Sequence, residues 1–216
     1  MKNISLSILG IILLLFISFG LYQLFSQNNS ETNSNHSSSE KILKKQEKMI
    51  KDKGYLTEGN RKSNIHVVTF TDYRCPHCSD YHFNQKKDLL DAYIRNNKIQ
   101  YTEIPLPVID KESTDYEKMA MVFAKNKNIN QFNKFTDKAY QSSTIDNDPI
   151  KTVDRVDIST KDKNKIINEF KHSKFKSNKN KIKEKFNIHS TPTIYVNGKT
   201  VNNVKSLKKM IEKERK

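Results

Sequence analysis

The sequence predicts an α/β domain that is interrupted by a long helical insertion. Two apolar, β-branched segments, Ile65 to Phe70 and Ile99 to Ile104, have the composition of buried strands. Between about 110 and 186 the chain contains no glycine, and its apolar residues recur at helical spacing. A strand, an Asn-Gly turn and a second strand follow at 193–201, before an amphipathic segment closes the chain.

The predicted helices can be placed in order from their apolar positions. From Pro76 the chain is expected to be helical, because Phe83, Leu90 and Ile94 return to one face. Four apolar groups mark four helices in the insertion: Met119, Val122 and Phe123; Phe132, Phe135 and Ala139; Ile166, Ile167 and Phe170; and Phe175, Ile182 and Phe186. We interpret these side chains as the core of a helical subdomain rather than as a ligand site. The closing helix is expected to bury Leu207, Met210 and Ile211.

The only two cysteines of the chain, Cys75 and Cys78, stand just beyond the first predicted strand. They can pair only with each other. A disulfide that closes so short a loop removes little entropy from the unfolded chain, so a purely structural role explains it poorly. The spacing therefore favours redox chemistry.

Cys75 is predicted to lie where the first strand turns into the helix. Pro76 suits the first helical position, where its missing N–H costs nothing. The unpaired N–H groups and the positive end of the helix favour the thiolate of Cys75, and His77 can add a hydrogen bond or a positive charge. Cys78 follows about one turn later and is expected to face inward. We therefore predict that Cys75 is the exposed, attacked sulfur and that Cys78 closes or releases the bond.

A zinc site and an inert pair are the two alternative interpretations of these cysteines. Zinc could be bound by four residues of suitable type, Cys75, His77, Cys78 and His82. A structural zinc site, however, draws its second pair of ligands from a distant hairpin or helix, whereas these residues fall within eight consecutive positions. No metal is therefore expected, and His82 is interpreted as an ordinary histidine on the helix surface.

In two segments the sequence resembles the DsbA-like thiol-disulfide oxidoreductases of the thioredoxin superfamily. The first runs from Gly54 to Asn60 and on through Val67 to Cys78, and it contains Cys-Pro-His-Cys. The second is Ser190 to Lys199, where Thr-Pro-Thr leads into a strand, an Asn-Gly turn and a strand. The resemblance implies a thioredoxin fold in which the helical segment of about 110–186 is an insertion.

The resemblance also implies a role for Thr191 and Pro192. In the family a cis peptide bond precedes this proline, which would bring Pro192 next to Cys75 across the insertion. The same loop would hold the substrate backbone as an added strand beside the disulfide. A plain turn before a strand is the alternative interpretation of these two residues.

One position departs from the family pattern. Many members carry a buried acidic residue six places before the first cysteine, and in this sequence that position is Thr69. Asp72 is nearer in sequence but need not reach Cys78. We therefore expect that solvent or another side chain handles the proton of the buried thiol.

Residues 1–25 are predicted to form a transmembrane anchor. Ile4 to Leu24 is an uncharged apolar run of 21 residues that follows Lys2, and it is long enough to span a bilayer. A cleaved signal peptide is the alternative, although no small-x-small cleavage site is convincing.

Residues 26–53 are predicted to connect this anchor to the folded domain. Ser26 to Glu40 is rich in Ser and Asn and is expected to be a flexible tether, followed by a charged lead-in helix from Lys41 to Lys53. The remaining residues, 54–216, are enough for one domain with a sizeable core.

The chain has a net charge of +15, and Lys161 to Phe186 alone holds ten lysines against three acids. These lysines alternate with helix-core residues rather than with exposed aromatic residues, so nucleic acid is not the expected partner. A solvated basic face near an anionic membrane or cell wall is favoured.

These features together predict an extracytoplasmic thiol-disulfide oxidoreductase that donates the Cys75–Cys78 disulfide to cysteine-containing secreted or surface proteins. Reoxidation by a quinone-linked membrane partner or by small oxidants is expected. No metal or organic cofactor is expected. Two alternatives stay open. The same site can run in reverse as a reductase or isomerase, or the domain can be a non-enzymatic thioredoxin-fold module that binds an envelope partner.

Overall fold

The computed structural model describes residues 17–19, 37–87, 91–143, 145–201 and 204–215. The chain divides into two compact units, Met1–Lys41 and Ile42–Lys216. The described residues of the first unit, 17–19 and 37–41, are helical. The predicted anchor at 4–24 falls outside the described residues apart from 17–19. Within the described ranges, no helix is long and apolar enough to cross a membrane.

A five-stranded mixed sheet forms the centre of the second unit. Its strands are β1 (Glu58–Gly59), β2 (His66–Thr71), β3 (Gln100–Pro105), β4 (Thr193–Val196) and β5 (Lys199–Val201), in the spatial order β1-β3-β2-β4-β5. β2 and β3 run parallel, and the other neighbouring pairs are antiparallel. The predicted strands are therefore present, with β2 and β3 each shifted by one residue along the sequence.

The helices follow the predicted order with three differences. They are α1 (37–53), α2 (Pro76–Asp80), α3 (Asp91–Arg95), α4 (Glu112–Lys125), α5 (Ile129–Ser142), α6 (Pro149–Asp154), α7 (Thr160–His172), α8 (Lys179–Phe186) and α9 (Val204–Glu214). A π-helix, Tyr81–Lys86, continues directly from α2. The lead-in helix α1 begins four residues before Lys41. The short helix α6 was not predicted, and Phe175 lies in the connection before α8 rather than in a helix.

Side-chain caps explain where the helices of the insertion begin. Asn128, Asp148 and Ser159 each accept a hydrogen bond from a backbone N–H in the first turn of α5, α6 and α7. Pro149 occupies the first turn of α6, where its lack of an N–H costs nothing. These caps divide the predicted insertion into separate helices that can fold against one another.

The sheet is covered on both faces, because successive residues of a strand point to opposite sides. Val68 and Phe70 of β2 pack on one face with residues of α1 and α8, including Met49 and Phe186. Val67 packs on the other face with α3 and α9, including Leu207 and Ile211. A third cluster fills the helical insertion and contains both cysteines. The sheet therefore holds the end of β2 rigidly, and the insertion covers the cysteines.

Candidate active site

Cys75 lies at the junction between β2 and α2, as predicted. It has extended backbone angles and occupies the N-cap of α2, with Pro76 in the first turn. The backbone N–H groups of Cys78 and Ser79 donate to its carbonyl oxygen at 3.0 and 3.1 Å. Its side chain does not cap the helix, because the thiol instead donates to the carbonyl oxygen of Thr191 at 3.5 Å.

Neither cysteine is freely exposed, which corrects the expectation for Cys75. Cys75 is 5% exposed, whereas Cys78 is 0% exposed. Both belong to the core of the insertion, where Tyr73, Met119 and Tyr140 are buried with them. The helical subdomain therefore covers most of Cys75 and leaves it only marginally more accessible than Cys78.

The environment of Cys78 disfavours its thiolate. Burial raises the pKa of the Cys78 thiol far above its ordinary value, and the nearby charge of Cys75 adds to this effect. The backbone N–H of Asp72 donates to the Cys78 sulfur at 3.4 Å and opposes the shift only in part. The structure contains the dithiol form of the site, in which the two sulfurs are not bonded to each other.

The Thr191-Pro192 loop lies beside Cys75, as the resemblance implied. The peptide bond between these residues is cis, and both side chains are partly exposed. The loop leads directly into β4, which pairs with β2 in antiparallel register. The sheet therefore brings together residues that are more than 100 positions apart in the sequence.

Pro76 and His77 are both exposed at the start of α2. Within the described part of the chain, the imidazole of His77 has no hydrogen-bond partner. Its position next to Cys75 leaves it free to contact a thiolate or a bound substrate. Its proposed influence on the thiolate stays a prediction.

Asp72 and Arg74 hold the junction before Cys75 in place. The buried carboxylate of Asp72 accepts hydrogen bonds from the backbone N–H groups of Arg74, Val108 and Ile109 and from the hydroxyl of Ser113. Arg74 reaches the insertion, where its guanidinium binds Asp110 at 2.6 Å, the amide oxygen of Asn147 at 2.6 Å and the carbonyl oxygen of Ser143. These bonds tie the redox junction to the loop after β3 and to the connection between α5 and α6.

A buried acid does exist near the site, but it stands on β3 rather than at Thr69. Thr69 is hydrogen-bonded to the hydroxyl of Tyr81 at 3.2 Å, and its neighbour in the parallel strand is Glu103. Glu103 is 5% exposed and accepts a hydrogen bond from the hydroxyl of Tyr140 at 2.7 Å. Burial alone would raise its pKa, but His82, Lys86 and Tyr140 lower it to about 2. Glu103 is therefore a buried carboxylate.

His82 is buried, so its interpretation as a surface histidine was wrong. It lies in the π-helix, where Tyr81 and Lys86 are also buried. The His82 Nε2 atom lies 2.7 Å from a carboxylate oxygen of Asp137, so the ring is engaged with that residue. Among the described residues, no three His, Cys, Asp or Glu side chains are grouped to hold a metal ion.

Sequence reasoning did not single out Glu103, His82 and Tyr140 as site residues. Two signals were present. Glu103 is a charged residue within an otherwise buried strand, and His82 follows Cys78 by four positions, on the same helical face. Tyr140 carried no such signal, because only the packing of α5 against the sheet brings it to Glu103.

Comparisons with known proteins agree with this geometry. Residues 51–213 match the family profile described as thioredoxin. A protein named probable disulfide bond formation protein D in Bacillus anthracis is 32% identical over 184 residues, covering 76% of this chain and 83% of that protein. The chain is a DsbA-like thiol-disulfide oxidoreductase of the thioredoxin family.

Solved structures show the same fold as this DsbA-like protein. BdbD from Bacillus subtilis, in its oxidised form, is 21% identical with a TM-score of 0.64 and covers 76% of this chain and 94% of its own. The thiol-disulfide exchange protein alpha-DsbA2 from Wolbachia pipientis is 19% identical with a TM-score of 0.63, covering 83% of this chain and 97% of its own. At these identities the likeness shows the fold, and the predicted thioredoxin fold with a helical insertion is confirmed. Because the chain belongs to an enzyme family, the interpretation of the domain as a non-enzymatic binding module is no longer favoured.

Proposed function

We propose that this oxidoreductase acts as an oxidase outside the cytoplasm and donates a Cys75–Cys78 disulfide to cysteine-containing secreted or surface proteins. The single observation that carries this proposal is the asymmetry of the two sulfurs. Cys75 lies at a helix N-terminus beside the Thr191-Pro192 loop, whereas Cys78 is completely buried. We infer from this position that the N-terminus of α2 favours the reduced form of Cys75, and whatever stabilises the reduced form makes the disulfide more oxidising.

The exchange proceeds in two steps that balance atoms and electrons. A substrate thiolate attacks the Cys75 sulfur, so the Cys75–Cys78 bond breaks and Cys78 leaves as a thiolate that takes up a proton. A second substrate thiolate then attacks the substrate sulfur of the mixed disulfide, and Cys75 leaves as a thiolate. The substrate loses two electrons and gains a disulfide, and the site gains the same two electrons.

Thr191 and Pro192 are proposed to position the substrate. They are partly exposed, and the carbonyl oxygen of Thr191 lies 3.5 Å from the Cys75 sulfur. An extended substrate segment that pairs with this loop would place its own sulfur next to Cys75. The exposed Pro76 and His77 would border the same substrate.

The cellular setting forms part of the proposal. The uncharged run Ile4 to Leu24 supports anchoring in the cell membrane, with the thioredoxin domain on the outer side. A quinone-linked membrane protein is the proposed reoxidant, since the reduced site must return two electrons after each turnover. The net charge of +15 is compatible with a position close to an anionic surface.

The redox state of the cysteines in living cells tests the direction of the reaction. Cells are quenched with acid, the denatured protein is treated with a mass-tagged alkylating agent, and its shift on a gel counts the free thiols. We expect unmodified, oxidised protein, with a Cys75→Ser variant as the control that must show one reactive thiol. A fully reduced wild-type protein would replace the oxidase with a reductase or isomerase.

A further inference from the structure

Two adjoining cavities lie where the ends of α1, α4 and α7 approach one another. The first has a volume of about 690 Å³ and is lined by the end of α1, the segment that follows it and the end of α4. The second has a volume of about 560 Å³ and is lined by α4 and the end of α7. Lys53, Met121 and Lys125 line both cavities, so the two form one continuous groove, which we call the basic groove.

Positive side chains dominate the lining of the basic groove. Its six lysine and arginine residues are Lys51, Lys53, Arg61, Lys125, Lys127 and Lys174. All of them are exposed, and within the described part of the chain none of them forms a salt bridge with a carboxylate. The acidic residues of the lining are Glu47 and Glu169. The groove therefore has an excess of positive charge that attracts anions.

The C-termini of α1 and α4 account for only part of this positive charge. Lys51 and Lys53 belong to the last turn of α1, and Lys125 is the last residue of α4. Lysines at these positions stabilise a helix, because each C-terminus carries about half a negative charge. Two such helix ends amount to about one negative charge. The groove therefore keeps a positive excess after both helix ends and both acidic residues are counted.

Lys127 is a cation that the local backbone does not require. It follows the end of α4 in the left-handed conformation, with a φ of 55°, and its N–H donates to the carbonyl oxygen of Ala124 at 3.0 Å. Glycine and asparagine adopt this conformation at helix ends with less strain than lysine. Helix termination therefore does not explain the lysine side chain at this position.

The shape of the basic groove favours a chain with several negative charges. Lysine presents a compact charge without the fixed fork of arginine, so it suits phosphate groups that can rotate freely. A concave groove that continues through two cavities fits an extended strand better than a flat lipid surface. Single-stranded nucleic acid needs exposed aromatic rings on which its bases stack, whereas Tyr55 is 8% exposed and Phe175 is half-buried. A polymer without bases is therefore the better fit.

We propose that the basic groove binds a linear polyanion that carries phosphate groups along a flexible, base-free chain. The residues of the redox site, Cys75 to His77 and Thr191-Pro192, line neither cavity. The domain can therefore be held by such a polymer while the redox site stays open to protein substrates. Binding involves no electron transfer, so it does not depend on the direction of disulfide exchange.

The first test uses the full-length protein in an uncharged detergent, with linear inorganic polyphosphate as the probe. The polyphosphate has a fluorophore at one end, and its anisotropy gives the dissociation constant. We expect saturable binding that the double substitution Arg61→Gln and Lys125→Gln weakens roughly tenfold or more, because two phosphate contacts are lost. Absence of binding by the wild type would overturn the proposal.

A matched control removes the same charge at another surface. Lys151 on α6 and Lys161 on α7 are exposed and lie outside the basic groove. The double substitution Lys151→Gln and Lys161→Gln should weaken binding less than about threefold, because these charges act only through the overall field of the protein. Equal weakening by the two double variants would overturn the proposal, since the attraction would then depend on net charge alone.

A single variant separates loss of binding from loss of folding. Lys127→Asn removes one cation of the groove and introduces a residue that is favoured in the left-handed conformation. Thermal melts should show an unchanged or higher Tm, while the affinity for polyphosphate falls. A wild-type affinity in both Lys127→Asn and the double variant of the groove would overturn the proposal.

Acetylation of lysines distinguishes the polymer from a membrane surface. In the full-length protein, polyphosphate should slow the acetylation of Lys53, Lys125 and Lys127 but not that of Lys151 and Lys161, as measured by mass spectrometry. In lipid nanodiscs, the rates should be the same with neutral and with anionic phospholipids. Protection of the three groove lysines by anionic lipid alone would replace the polymer with the membrane surface and overturn the proposal.

Competition distinguishes the polymer from nucleic acid. A single-stranded DNA oligonucleotide with the same number of phosphates should displace labelled polyphosphate less effectively than unlabelled polyphosphate does, because the groove offers no exposed aromatic surface to the bases. More effective displacement by the DNA would overturn the proposal in favour of a nucleic-acid site.

Discussion

At the scale of single residues, the site is defined by the different surroundings of two identical side chains. Cys75 is at the edge of the core, with its thiol directed to Thr191, whereas Cys78 is fully enclosed. An enclosed thiol is a poor nucleophile toward large partners, because only the thiolate reacts and burial disfavours it. The burial of Cys78 therefore limits it to reactions with Cys75.

This difference predicts opposite behaviour of the two single cysteine variants. Cys78→Ser leaves Cys75 without an internal partner that can resolve a mixed disulfide, so adducts with other proteins should accumulate on a non-reducing gel. Cys75→Ser should give few adducts, since Cys78 is inaccessible. Equal adducts from both variants would show that Cys78 is also open to substrates.

A second residue-scale feature is the buried acid Glu117 on α4. This residue is 1% exposed, and burial raises its pKa to about 7, with the charge of Asp72 acting in the same direction. The folded-state pKa is thus above the unfolded value of 4.5. Below the unfolded value the carboxyl is neutral in both the folded and the unfolded protein, so its burial costs no stability for ionisation. This stability is lost as pH rises through about 7, because the unfolded protein can ionise the carboxyl whereas burial disfavours the ionised form in the folded protein.

Glu117→Gln should therefore stabilise the protein at pH 8 relative to the wild type and have little effect at pH 4.5. A difference of roughly 2–3 kcal/mol corresponds to about 5 °C or more in Tm for a chain of this size. Thermal melts at the two pH values provide the measurement, with Asp115→Asn, an exposed position on the same helix, as the control. A Tm difference that does not depend on pH would mean that Glu117 is not titrating in this range.

At the scale of elements, the site depends on how β2 passes into α2 and then into the π-helix. The first junction sets Cys75 at a helix N-terminus, and Asp72 fixes its geometry with four hydrogen bonds. The π-helix then continues α2, with Tyr81, His82 and Lys86 buried. The position of Cys75 therefore comes from the geometry of this junction rather than from unusual residues.

The helix N-terminus predicts that the reduced protein is more stable than the oxidised protein. The proposed direction requires that the first turn of α2 favours the reduced form of Cys75, an effect that the disulfide lacks, so reduction should raise Tm. His77→Ala should shrink the difference by about 1 kcal/mol or less, because the contribution of the helix remains. Paired melts of oxidised and reduced protein test this, and His172→Ala should leave the difference unchanged.

If oxidised wild type proves to be the more stable form, the Cys75 thiolate does not stabilise the reduced protein enough to make the disulfide a strong oxidant. The strong-oxidase proposal would then fail, and the reductase alternative would take its place. Equilibration of wild type and His77→Ala with glutathione gives an independent measure of how strongly each protein favours its reduced form over its oxidised form.

At the scale of the whole molecule, different parts of the sheet support the stability of the domain and the redox site. One face and its helices stabilise the domain, while the carboxyl end of β2 and the insertion hold the redox site. The positive charge is concentrated in the second half of the insertion, on α7, α8 and the segment between them. A basic outer surface fits a domain that works beside an anionic envelope.

The proposed anchor predicts that the full-length protein stays in the membrane fraction after a high-salt wash, which removes proteins held only by charge. As a control, Leu14→Arg together with Leu15→Arg should release it, because each arginine costs about 2.5–3.5 kcal/mol at the centre of a membrane helix. Recovery of wild-type protein from the culture medium, with an N-terminus beyond Leu24, would instead indicate a cleaved signal peptide.

The sequence by itself determined the α/β class, the positions of four of the five strands along the chain, the inserted helices and the position of Cys75 before a helix. These features depend on local patterns of apolar residues, turn residues and spacing, which a single sequence displays. The Cys-Pro-His-Cys and Thr-Pro-Thr segments also pointed to the correct family and to their meeting in space. The sequence did not predict α6 or the loop position of Phe175, since short apolar groups fit more than one local structure.

Only the tertiary structure decided which side chains share the interior with Cys78. Glu103 reaches the site because β3 runs parallel to β2, and Tyr140 reaches it because α5 packs over the same end of the sheet. His82 is buried because its ring packs against α5, beside Asp137 and Tyr140, a contact between segments that the sequence does not display. The environment of the buried thiol is therefore a property of contacts between distant segments, and burial by these segments is what disfavours its thiolate.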